Sequence, residues 1–97
     1  MDYYKSVEAW AKARGLDKAD PKAQLNKLME EVGKLAQGVN KGNHEQTKDS
    51  LGDVQVVLTV LALQLGLHQE DCYKLAYNVI KGRYGKISNG VYVKDGD

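Results

Sequence analysis

Apolar residues recur at three- and four-residue spacing through most of the chain and change to alternation only near its end. Tyr3, Val7, Trp10 and Ala11 mark one face of a first helix over about 2–14, with Asp2 as its cap and Gly15 as its stop. Asp20-Pro21 then gives a strong start signal, because Asp caps a helix well and Pro suits its first turn. The second helix, over 21–41, carries Leu25, Leu28, Met29, Val32, Leu35, Ala36 and Val39, and Gly42 ends it. Asn43 caps a third helix over 44–65, stopped by Gly66. This third helix is mostly polar from His44 to Asp53 and apolar on nearly every side from Val54 to Leu65. A helix of that kind needs cover all round, which four short helices hardly supply, so the pattern predicts a second subunit in a homodimer or homotetramer. A fourth helix spans about 69–83, with Cys72, Leu75, Ala76, Val79 and Ile80 as its expected buried stripe. From Lys86 to Val93 the period falls to two around Asn89-Gly90, which predicts a hairpin over about 86–94 with a type I′ turn.

These elements make an all-α domain over residues 1–97, a four-helix bundle with a short C-terminal β-hairpin and no internal repeat. Ninety-seven residues allow only a modest core. The net charge of +1 and the lack of a basic stripe argue against a nucleic-acid partner. The single cysteine, Cys72, lies in an apolar stripe with no basic neighbour, as a buried thiol does rather than a nucleophile. No apolar signal region opens the chain, and the run from Val56 to Leu63 is too short to cross a bilayer. The expected location is therefore cytoplasmic, with no membrane partner.

The residues that could carry chemistry are two acidic clusters, Glu30-Glu31 on the second helix and Asp49 with Asp53 on the third. The short break Lys41-Gly42-Asn43 makes the two helices antiparallel, so the clusters face each other near the join. Asp49 and Asp53 share a face at i, i+4, and Glu31 lies beside the apolar stripe, with Glu30 about 100° further round. Solvated surface carboxylates paired with Lys34 or Lys48 are the plain reading of either cluster alone. Both clusters together, with Gly33 and Gly52 inside the helices, point to a hard divalent cation and to either close helix approach or space for a ligand.

The segment Leu28-Met29-Glu30-Glu31-Val32-Gly33-Lys34-Leu35-Ala36, followed by Asp49-Ser50-Leu51-Gly52-Asp53-Val54, resembles the MazG-like all-α nucleoside triphosphate pyrophosphohydrolases. The resemblance extends from Trp10 to about Tyr84. It implies a Mg²⁺-dependent enzyme, with Mn²⁺ as a substitute, that hydrolyses a nucleoside triphosphate to the monophosphate and pyrophosphate and so cleans the nucleotide pool. The resemblance carries over Glu31 and Asp53 as metal ligands and catalytic pair, and Glu30 and Asp49, each one residue round the helix from a replaced position, complete an alternative metal set Glu30, Glu31, Asp49 and Asp53. That family carries Glu-Glu-x-x-Glu on one helix and Glu-x-x-Asp on the next. Here Lys34 and Ser50 stand in place of two of those carboxylates.

A Lys for a Glu changes the local charge by two units. It would repel Mg²⁺ if it pointed inward, or it could meet a phosphate directly. Asn78 and Lys81, one turn apart on the fourth helix, and Arg83 after them are the expected phosphate contacts. A solvated basic helix end explains the same residues, since it suits the helix dipole. Trp10 is a candidate for stacking on a base, though its place beside Val7 and Ala11 favours a core or subunit contact. His44 and His68 have no partner at metal-ligand spacing and read as surface residues. The competing function is a MazG-like module, catalytically weakened or inactive, that binds a nucleotide or a protein partner.

Overall fold

The structure is a computed structural model that describes residues 1–95. Helix α1 spans Tyr3–Ala13, and the Asp2 carboxylate accepts from the Lys5 backbone N–H at 3.2 Å to cap it. Gly15, with φ of 71°, turns the chain into a single 3-10 turn at Leu16–Lys18. Helix α2 spans Pro21–Lys41 and starts where Asp20 accepts from the Lys22 N–H at 2.9 Å. It ends at Gly42, whose φ of 67° lets its own N–H and that of Asn43 return to the last carbonyls of the helix. Asn43 at once caps α3, His44–Gln64, by accepting from the Gln46 N–H at 3.1 Å. Two caps and one left-handed residue therefore reverse the chain within a single turn. We expect Asn43→Ala to cost about 1 kcal/mol, the usual worth of such a cap, as read by urea denaturation.

Helix α4 spans Gln69–Ile80 and leaves α3 at a bend of 105°. It ends short of the 83 expected from the sequence, with Lys81 as its cap residue and Arg83 beyond the helix. Strands β1, Gly85–Ser88, and β2, Val91–Lys94, pair antiparallel, with Ser88 opposite Val91. Asn89 and Gly90 both have positive φ, 51° and 77°, as a type I′ turn requires. The fold is thus mostly helical with one small hairpin, and among the described residues no single helix is long and apolar enough to cross a membrane.

The core is small and lies where α1, α2 and the 3-10 turn meet the C-terminal half of α3. Ala11, Val57, Thr59, Val60 and Ala62 are buried there. Thr59 donates its hydroxyl to the Gln55 carbonyl at 2.8 Å, which removes the cost of burying it. Gln64 ties the turn down by donating to the Leu16 carbonyl at 2.9 Å. The apolar half of α3 is therefore covered largely within one chain.

Two expected stripes are not. On α4, Leu75, Val79 and Ile80 are all more than half exposed, and only Cys72 of that stripe is half-buried. On α2, Leu25, Met29, Val32 and Val39 face outward, leaving Leu28 and Leu35 as its partly covered apolar residues. The periodicity found real apolar faces, but the chain has too few layers to cover them.

Candidate functional site

The pairing of α2 with α3 builds the site. On α2 the covered positions are Pro21, Gln24, Leu28, Glu31, Leu35 and Gly38, a run of alternating three- and four-residue steps. On α3, Thr47, Ser50, Val54, Val57, Leu61 and Gln64 follow the same steps within a wider covered set that includes Gln55, Thr59, Val60 and Ala62. This is the spacing of two helices packed along a shared seam. Gly38 and Thr47 fix one end of it. A Cβ on Gly38 would lie 2.9 Å from Thr47 Oγ1 and 3.0 Å from its backbone nitrogen, so the helices approach as closely as a glycine allows. Gln24 marks the far half by donating to the Val57 carbonyl at 3.3 Å.

Gly33 and Gly52, expected to mark either close helix approach or space for a ligand, have nothing within 4 Å of an added Cβ, and the close approach lies at Gly38 instead. Gly38→Ala should cost about 1–3 kcal/mol by overpacking, offset by roughly 0.5–1 kcal/mol of helix propensity. A net loss in a urea titration is the expected result.

Glu31 sits in the middle of this seam and not at its border. It is 8% exposed, the one buried carboxylate among the described residues. Its Oε1 lies 3.5 Å from Lys34 Nζ, while its Oε2 is buried without a hydrogen-bond partner. Ser50, one of the two non-acidic replacements, is also buried in the seam at 3%. Lys34 itself is mostly exposed and reaches Glu31 from the rim. Its carbonyl accepts from Gln46 Nε2 at 3.0 Å, and the same amide donates to Gln37 Oε1 at 2.9 Å. These bonds tie α2 to the start of α3 just behind the lysine.

Helical geometry sorts the remaining acids. At 100° per residue, Glu30 and Lys34 lie on one side of the α2 seam, and Asp49 and Asp53 on one side of the α3 seam. Because the helices are antiparallel, these are the same side of the pair. All four are exposed. The site is thus a polar edge with one buried carboxylate behind it. Among the described residues no three His, Cys, Asp or Glu side chains gather closely enough to cage a metal ion. Glu30, Glu31, Asp49 and Asp53 share an edge without converging on one point.

The other candidates lie apart. Asn78 and Lys81 are exposed at the end of α4, which meets the body of the chain mainly through α3. Among the described residues neither they nor Arg83 makes a side-chain hydrogen bond or ion pair. Trp10 is 45% exposed and carries the Arg14 guanidinium 4.5 Å from its ring centre, so it is not a core residue. Arg14 also donates to the Trp10 carbonyl at 3.1 Å, which fixes the stack from within one helix. His68, read as a lone surface residue, joins Nδ1 to Glu8 Oε2 at 2.7 Å and holds the start of α4 against α1. The sequence offered no signal for that pair, since 60 positions separate its members.

No family model matches the chain, and no solved structure matches it. Over 61 residues it is 46% identical to an uncharacterised 18.2 kDa protein in the rep-hol intergenic region of Haemophilus phage HP1. The match takes in 62% of this chain and 37% of the phage protein, so the chain spans well under half the length of that relative.

Proposed function

We propose that the chain is a nucleoside triphosphate pyrophosphohydrolase of the MazG-like kind, acting with Mg²⁺ or Mn²⁺ in nucleotide-pool house-cleaning. The observation that carries this reading is the buried Glu31 carboxylate with its unpartnered Oε2. Removing an ionised carboxylate from water costs several kcal/mol, and one mostly exposed lysine at 3.5 Å offsets little of it. A carboxylate oxygen kept buried and without a partner behind a polar edge suits a cation that comes and goes. Mg²⁺ retains several waters and commonly binds one or two carboxylates together with substrate phosphates.

Glu31 and Asp53 are the residues that would hold the ion, with Glu30 and Asp49 adding negative charge along the same edge. Bound there, the ion would neutralise phosphate charge and polarise the phosphorus. Glu31 orients a water for attack at the α-phosphorus. The water oxygen forms the new P–O bond, pyrophosphate leaves with the bridging oxygen, and the water's proton passes to a carboxylate or solvent. Lys34, free to swing from Glu31 on its exposed side, meets a phosphate oxygen as a point charge. Asn78, Lys81, Arg83 and Trp10 are further candidate contacts for the phosphates and the base.

The test is pyrophosphate release from a panel of ribo- and deoxyribonucleoside triphosphates, with Mg²⁺, with Mn²⁺ and with chelator. Metal-dependent turnover is expected, and no turnover with any substrate at high protein concentration rules the enzyme out. The Lys34–Glu31 pair favours one second reading, a module that binds a nucleotide without hydrolysing it. In that case a non-hydrolysable triphosphate binds equally well with and without metal, and pyrophosphate is never released. The proposed setting is cytoplasmic, with no nucleic-acid or membrane partner.

A further inference from the structure

We propose that α4 and the β1–β2 hairpin form a surface that lies on a bilayer rich in anionic phospholipid. All 13 acidic residues fall outside the stretch from Tyr73 to Lys94, which holds five of the 14 basic ones, Lys74, Lys81, Arg83, Lys86 and Lys94. The net charge of +1 therefore hides a basic C-terminal end on an otherwise acidic chain. The same stretch stands clear of the body. Helix α4 leaves α3 at a bend of 105°, and every residue from Tyr73 to Lys94 is exposed.

Helical geometry sorts these residues as a membrane surface requires. At about 100° per residue, Lys74, Asn78 and Lys81 fall on one side of α4, and Leu75, Val79 and Ile80 on the other. Tyr73 and Tyr77 lie at the border between the two sides. Tyr73, Leu75, Tyr77, Val79 and Ile80 are 53–68% exposed. Interfacial helices show this order, with aliphatic side chains toward the acyl chains, tyrosines at headgroup level and lysines against the phosphates. An open groove of about 410 Å³, lined by Tyr73, Lys74, Ala76, Tyr77 and Ile80, offers an acyl chain an apolar floor with one ammonium beside it. The hairpin repeats the composition. Ile87 and Tyr92 share one face with Lys94, and Val91 and Val93 share the other with Lys86.

Other partners match less of this surface. Bases stack on tyrosine rings, but a nucleic acid gives Leu75, Val79 and Ile87 nothing apolar to meet. A protein partner would have to be apolar and acidic along the whole of α4 and the hairpin, whereas an anionic bilayer is both everywhere. No spanning segment is needed. Helix α4, at 12 residues, is about 18 Å long against a hydrocarbon core of about 30 Å. The expectation of no membrane partner rests on the lack of such a segment, and a helix that lies on a bilayer requires none. The α2–α3 edge itself calls for no bilayer, so the inference stands apart from the catalytic reading.

Co-sedimentation of the full chain with phosphatidylcholine vesicles, with and without phosphatidylglycerol, tests it. The chain should bind the anionic vesicles and bind the neutral ones roughly tenfold more weakly or less. Lys74→Gln with Lys86→Gln should weaken binding about 25-fold, since each basic residue near an anionic surface contributes about fivefold, equivalent to about 1 kcal/mol. Leu75→Gln with Val79→Gln should weaken it by roughly tenfold or more. Helical circular dichroism should persist, because both side chains are exposed. Leu25→Gln with Met29→Gln, an equally apolar change on α2, should leave binding unaltered. Absence of binding to the anionic vesicles overturns the inference, as does binding that ignores phosphatidylglycerol or the α4 changes, or that the α2 changes abolish as well. So does a single-stranded oligonucleotide that binds the chain in preference to the vesicles.

Discussion

Glu31→Met should make the protein more stable and abolish its activity. Both effects come from one oxygen atom. In the native chain Glu31 occupies a seam position flanked by Leu28 and Leu35, buried to 8% exposure, with Oε2 lacking any partner. Methionine has similar length and fills the same space without a charge to desolvate. Replacing buried ionic groups with apolar ones of like volume is commonly neutral or stabilising by about 1–4 kcal/mol. The lower part of that range applies here, because Lys34 is exposed and loses little when its partner goes. We expect a gain of about 1–2 kcal/mol in urea denaturation, or a rise of roughly 4–16 °C in melting temperature for a domain of this size. On the proposed reading pyrophosphate release should fall at least 100-fold, since the change would remove the carboxylate assigned there to the metal and the water. Gain of stability with loss of function is the mark of a group kept for chemistry and not for folding. A Glu31→Met protein less stable than the native chain would show that the carboxylate has a structural role, and the argument for a ligand there would fail. Glu31→Gln separates charge from shape: it should lose activity equally while gaining less stability, because its amide still wants partners in a seam that offers few.

The sequence made the punctuation of this fold readable and its rotation obscure. Asp20-Pro21, Gly42-Asn43 and Asn89-Gly90 each act through local chemistry, a cap, a left-handed residue or a primed turn, and each appears in the structure where local rules place it. Which face of α2 would meet α3 was a different kind of question. Hydrophobicity alone favours the row of Leu25, Met29, Val32 and Val39. The chain instead buries the row containing Gln24, Glu31 and Gly38. The tight reversal at Gly42-Asn43 explains this, because it brings Gly38 against Thr47 and so sets the rotation of α2 for its whole length. A close approach between residues nine apart across a turn leaves no periodic trace. For the same reason Glu31 was visible as an acid beside a stripe but not as a buried one. Asp49 and Asp53 could be placed on one face, opposite Glu30 and Glu31 near the join, from spacing and the short break alone. Whether their carboxylates converge depends on the distance between the helices, which spacing does not carry. The bare stripe of α4 has a further cause. Amphipathic period shows that a face is able to be buried, and says nothing about whether the same chain supplies the cover.

Lys34→Glu should convert the site into a stronger metal binder at the expense of the metal-free fold. Lys34 Nζ stands 3.5 Å from Glu31 Oε1, so it competes directly with any cation for the same carboxylate. Its side chain is 62% exposed, which limits the competition to about 1 kcal/mol or less through solvent screening. Removing that competitor is worth less than tenfold in affinity. The new carboxylate would add a third ligand beside the proposed Glu31 and Asp53, and oxygen ligand number is what raises affinity for Mg²⁺. Together these effects should tighten Mg²⁺ or Mn²⁺ binding at least tenfold by titration calorimetry. The cost appears when metal is absent. Two carboxylates one helical turn apart, one of them buried, repel each other where a lysine once attracted, and a loss of about 1–2 kcal/mol in urea with chelator is expected. Added Mg²⁺ should restore that loss, because an ion that binds only the folded chain stabilises it by mass action. A charge reversal that lowers stability equally with and without metal would mean that Lys34 is simply a structural partner of Glu31. A crossover, with the variant weaker in chelator and at least equal to the native chain in Mg²⁺, would place the cation at Glu31 through a measurement that needs no substrate and no turnover.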